Sequence, residues 1–82
     1  MLTLTIVMMN SGTVLDLMVK PEQRIRDVLR VLSDNGQIVY TPFREQFFVR
    51  SWRQGIYVSP GLTFKQAGIF YGDILYIDVE EV

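Results

Sequence analysis

Two carboxylates stand two positions apart near the close of the chain, Asp78 and Glu80 in ILYIDVEEV. On a strand that spacing sets both on one face, where hard oxygen ligands can share a divalent cation. Such an ion asks for roughly six to eight oxygens, and the nearby sequence offers no third ligand in step with them. A solvated acidic surface is the expectation, and a metal site is not. Asp73 or Asp78 would have to carry any acid–base chemistry, because the chain holds no histidine and no cysteine. That removes the commonest general base, every thiolate site and any disulfide framework. Gly61, Gly68 and Gly72 lack the G-x-x-x-x-G-K-[ST] spacing of a phosphate-binding loop and read as turn glycines. No catalytic residue, metal or cofactor is therefore expected.

The segment FREQFFVRSWR, residues 43–53, carries chemistry of a different kind. Basic residues alternate there with aromatic ones, a pattern that single-stranded nucleic acid can use by stacking, but the local charge is too diluted to hold a phosphate backbone. Alternation on a strand sends Phe47 and Val49 toward a core and Phe48, Arg50 and Trp52 to the opposite side. Tyr76 falls on that side of the last strand, with Met9 or Val7 of the first. Trp, Tyr and Arg dominate many protein interfaces because they bury much area at modest entropic cost. Phe48, Arg50, Trp52, Tyr76 and Met9 are thus the expected protein-binding residues, as a docking face or a homodimer surface. The competing arrangement folds Trp52 back over the core beneath the loop at 37–44, and a one-residue slip in register would exchange the two faces.

The elements that must position these residues follow from periodicity. At 82 residues the chain is expected to be one domain, residues 1–82. Leu2, Leu4, Ile6 and Met8 alternate with Thr3, Thr5, Val7 and Met9, which is a strand; the turn cluster NSG leads to a second, with Leu15, Leu17 and Val19 on one side and Val14, Asp16 and Met18 on the other. After Pro21, Ile25, Val28, Leu29 and Leu32 make one apolar helical stripe that Gly36 closes. Its N-cap is weak, with no Ser or Thr ahead of Ile25, and its polar face offers Asp27 to Arg30 and Arg30 to Asp34. QIVYTPFR reads as a loop, since Pro42 opposes a central strand. EQFFVRSW is a third strand and IYV a short one, followed by a type II turn at Ser59-Pro60-Gly61 and one helical turn in LTFKQAGI. Gly72-Asp73 then turns the chain into a last strand with Leu75, Ile77 and Val79 on one face. A hairpin, a crossover helix and a returning hairpin make an α+β fold, a β-grasp: a mixed sheet of four to five strands on one helix, with the last strand central beside the first.

The net charge of −1 is too small to imply nucleic acid or an anionic membrane through bulk electrostatics. It is unevenly spread, however. Residues 20–53 hold seven basic groups against four acidic, and residues 54–82 hold Lys65 against Asp73, Asp78, Glu80 and Glu81. MLTLTIVMM has no basic flank and is far shorter than the ~20 residues of a bilayer span. A cytoplasmic protein with no direct membrane insertion is expected.

The order of elements, with MVKPEQRIRDVLRVL and LTFKQAGIFYGDILYIDV, resembles ubiquitin and its relatives. Thr63, Phe64, Ile69, Leu75 and Ile77 occupy the superfamily's closing pattern. Within it, VRSWRQGIYVSPGLTFKQAGIFYGDILYI is most similar to the YukD/EsaB family of type VII secretion accessory proteins. That resemblance implies a cytosolic, non-catalytic adaptor whose partner is a subunit of a bacterial secretion machine exporting small helical hairpins. It also implies that the open sheet face is the principal binding patch. The superfamily includes conjugated modifiers and sulfur carriers, which end in a flexible Gly-Gly; here the sequence reads Asp78-Val79-Glu80-Glu81-Val82, so neither activity is expected. A carrier or modifier, or a generic β-grasp protein-binding module, is the alternative.

Overall fold

The computed structural model describes residues 1–38 and 45–81. Strands β1 (Leu2–Met8) and β2 (Val14–Val19) form the first hairpin, α1 spans Ile25–Asp34, and β3 (Glu45–Ser51), β4 (Ile56–Val58) and β5 (Ile74–Glu81) complete the sheet. The strand order is β2-β1-β5-β3-β4. β5 runs parallel to β1 and antiparallel to β3, so the last strand is central, as its apolar run requires. This is the α+β β-grasp arrangement. Of the expected loop at 37–44, residues 39–44, with Pro42, lie outside the described residues.

Alternation decides the faces. Leu4, Ile6 and Met8 of β1, Val49 of β3, and Leu75 and Ile77 of β5 meet Ile25, Val28, Leu29 and Leu32 of α1 in one buried cluster. Val49 stands opposite Ile77 and both are fully buried, which fixes the register and excludes the one-residue slip. Phe64, Ala67 and Ile69, from the segment between β4 and β5, are buried in the same cluster. One turn there is held by a reciprocal pair at 3.0 Å: the Gln66 amide donates to Thr63 Oγ1, and the Thr63 amide donates to Gln66 Oε1. That pair is the geometry of a capping box.

The helix start explains its weak cap. Arg24 makes no side-chain cap; instead the Ile25 amide donates to the Leu62 carbonyl at 3.0 Å and the Arg26 amide to the Pro60 carbonyl at 2.8 Å. Backbone from another part of the chain takes the place of a Ser or Thr. The same contact corrects the turn type. The Leu62 amide closes on the Ser59 carbonyl at 3.1 Å, but Gly61 is not among the glycines with positive φ, so the turn is not type II. A type II turn would flip the Pro60 carbonyl away from the amide it serves. At the other end Gly36, at φ +73°, donates to the Ser33 carbonyl at 3.0 Å and Gln37 to the Leu32 carbonyl at 2.9 Å, a Schellman closure. The expected pairs of Arg30 with Asp27 and Asp34 do not form: the ion pair present among the described residues is Arg26 with Asp27 at 4.0 Å. Exposed side chains gain too little from such pairs to give up their freedom. Among the described residues no helix is long and apolar enough to cross a membrane.

Candidate protein-binding face

The helix covers one side of the sheet and leaves the other open. Register builds the open side in rows. Val7 lies beside Val14 on one flank and Tyr76 on the other, and Arg50 lies between Tyr76 and Tyr57. Val14, Val7, Tyr76, Arg50 and Tyr57 therefore form one line across all five strands. The Arg50 guanidinium sits 5.1 Å from the Tyr76 ring centroid, within cation–π range. In the next row Phe48 stands beside Asp78. Met9 donates its amide to the Ile77 carbonyl at 2.9 Å, and continuing the register past Met8↔Ile77 brings it to the other side of Asp78. Below the central row, Thr5 donates its hydroxyl to Asp16 at 2.7 Å, beside Ile74.

Phe48, Arg50, Tyr76 and Met9 are thus drawn together on the open side. Trp52 follows β3, donates its amide to the Ile74 carbonyl at 2.9 Å, and stands at the corner of the face. It is 62% exposed, so it does not fold back over the core. Two members were missed in sequence, Val14 and Tyr57, both largely exposed. The clue to Tyr57 lay in the Arg53-Gln54-Gly55 turn. Gly55, at φ +67°, returns its amide to the Ser51 carbonyl at 2.8 Å, which pairs Ser51 with Ile56 and so Arg50 with Tyr57.

The carboxylates singled out in the sequence lie in two different settings. Asp73, 1% exposed, accepts Ser51 Oγ–H at 2.5 Å, the Arg53 amide at 3.0 Å and the Ile74 amide at 2.8 Å. It ties the end of β3 to the start of β5. Asp78 and Glu80 lie on the open face opposite Phe48 and Gln46, and among the described residues no three acidic groups converge on a common point.

No protein-family model matches the chain, and no curated protein does. Solved structures do. The chain is similar to the ubiquitin of Caldiarchaeum subterraneum at 19% identity and a TM-score of 0.67, over 99% of this chain and 95% of that one. It is also similar to a protein computationally designed on the template of human erythrocytic ubiquitin, at 22% identity and a TM-score of 0.64, over 100% and 95% of the two chains. The fold is ubiquitin-like.

Proposed function

We propose that this chain is a non-enzymatic, ubiquitin-like adaptor that binds a protein partner on its open sheet face. Its setting is the bacterial cytoplasm, beside a type VII secretion machine, as its likeness to the YukD/EsaB family suggests. The observation that carries the binding face is the line from Val14 to Tyr57: apolar and aromatic side chains on successive strands, with one guanidinium held over an aromatic ring. Rings fixed on a rigid sheet lose little entropy when a partner covers them, and Arg50 adds a donor for a backbone carbonyl or a carboxylate. Phe48, Trp52 and Met9 extend that surface.

Affinity capture from detergent-solubilised native bacterial membranes and lysate tests both parts. Wild type should retain a secretion-machine subunit, while Arg50→Glu and Trp52→Ala, melting within a few degrees of wild type, should lose it. Retention of the same subunit by both variants would move the binding surface elsewhere. Retention of an unrelated partner, lost by both variants, would leave a generic β-grasp binding module and remove the secretion assignment.

A further inference from the structure

One end of the sheet collects features that, Trp52 at the shared corner apart, the open face does not use. β1 enters there at Leu2, β2 leaves at Val19, and α1 begins beside them. The segment before β5 is fastened to the same end. The Lys65 amide donates to the Pro21 carbonyl at 2.9 Å and the Gly72 amide to the Thr3 carbonyl at 2.8 Å. The turn after β3 joins it through Arg53 Nη2, which donates to the Gly68 carbonyl at 2.6 Å while its guanidinium lies 4.3 Å from the Phe70 ring centroid. Trp52, Phe70 and Tyr71 are 62%, 59% and 73% exposed.

The charge at this end is net positive. Arg26 is answered by Asp27, and Asp73 is buried beneath its three donors. Among the described residues this end then holds five basic groups, Lys20, Arg24, Arg26, Arg53 and Lys65, against three acidic ones, Glu22, Asp27 and the buried Asp73. Asp34, Asp78 and Glu80 fall toward the opposite end of the helix and of β5. The overall charge of −1 conceals this polarity.

We propose that this end is a docking surface for an anionic lipid bilayer, on which the domain adsorbs peripherally with Trp52, Phe70 and Tyr71 among the headgroups. Trp and Tyr settle at membrane–water boundaries because each ring is apolar with a polar handle. An anionic leaflet attracts each nearby Lys or Arg. Among the described residues both attractions act together at this end, because the open face mixes Asp16, Asp78 and Glu80 with its apolar residues and a negative surface repels it. An acidic peptide fits less well. The shallow hollow at this end, lined by Leu2, Pro21, Glu22, Lys65, Ile69 and Phe70, has a carboxylate in its wall.

The test is co-sedimentation with vesicles of phosphatidylcholine alone or mixed equally with phosphatidylglycerol, at roughly 0.1 M salt where screening is moderate. The only tryptophan lies in the proposed surface and gives an independent readout. Binding to the anionic vesicles alone is expected, with a blue shift of Trp52 emission. Lys65→Gln should weaken it about fivefold and Lys65→Glu about twenty-five-fold, at roughly fivefold per charge. Tyr71→Ser should weaken it several-fold, and Tyr57→Ala should leave it unchanged, each variant melting near wild type. The proposal is overturned by no sedimentation at millimolar anionic lipid, or by unchanged binding in both Lys65 variants. A Trp52 shift with polyglutamate but not with vesicles would also overturn it, and would assign this end to an acidic protein. No protein partner is present in the assay, so its failure leaves the adaptor reading untouched.

Discussion

Replacing Asp73 by alanine tests the most deeply buried polar link in the fold. The buried side chain accepts three hydrogen bonds, one fully buried from the Ser51 hydroxyl and two part-buried from the amides of Arg53 and Ile74. Alanine strands all three donors, each at about 1 to 3 kcal/mol. The Ser51 hydroxyl can rotate and the amides cannot, which sets the expected loss at about 4 kcal/mol. At about 0.05 to 0.15 kcal/mol per residue, a domain of this length is stable by roughly 4 to 12 kcal/mol, so Asp73→Ala should sit near the edge of folding.

Asp73→Asn separates geometry from shape. Its carbonyl oxygen can keep both amides satisfied, and only the contact with Ser51 must reverse, for a loss of about 1 to 2 kcal/mol. Urea unfolding, followed by circular dichroism and Trp52 fluorescence, reads both. With a slope of about 1 kcal/mol/M for a small domain, the alanine midpoint should fall by several molar and the asparagine midpoint by one or two. Equal losses in the two variants would refute the reasoning, as would an alanine loss below about 1 kcal/mol.

Phe64 lies outside every strand and helix yet is fully buried, so Phe64→Ala should cost about 3 to 5 kcal/mol by urea titration, as a core deletion does. Gly36 holds φ +73°, and a Cβ there would meet no atom within 4 Å; Gly36→Ala should cost about 1 kcal/mol through backbone strain alone, read as a melting shift of about 4 to 8 °C, and Gly36→Asn should recover part of it. Thr63→Ala removes one half of the reciprocal pair with Gln66 and should cost about 1 kcal/mol in the same melt. Tyr57→Ala alters a largely exposed side chain, so its melting point should stay within a degree or two while capture of the protein partner falls.

Periodicity made the fold legible. The alternation in β1, β2 and β5 and the stripe on α1 each named the buried side correctly, because one face of every element had to meet the same core. What periodicity could not carry were contacts between distant segments. Nothing near Ile25 marks the Pro60 and Leu62 carbonyls that cap the helix, and the turn type assigned to Ser59-Pro60-Gly61 was wrong because that cap decides it. Asp73 read as a turn residue or a remote candidate acid, and its three donors come from the end of β3 and the start of β5. For the open face, Phe48, Arg50 and Tyr76 were visible from alternation alone. Tyr57 was not, since a three-residue strand has too short a pattern to announce its side.

The position of β5 sets the order in which the protein can become folded as it is made. β1 and β3 never pair with each other; each pairs with β5, which is synthesised after both. The amides that begin α1 likewise wait for Pro60 and Leu62. A chain that ends before Ile74 therefore has a hairpin on one side, a hairpin on the other and a helix with no central strand to pack against, so the apolar faces of all three lack their shared partner. Isolated hairpins and ten-residue helices are marginal in water. Folding is then a single late event, triggered when the final strand leaves the exit tunnel and slides between two waiting edges. Until that moment the nascent chain presents open strand edges beside apolar side chains, the state in which a chaperone has most to offer it.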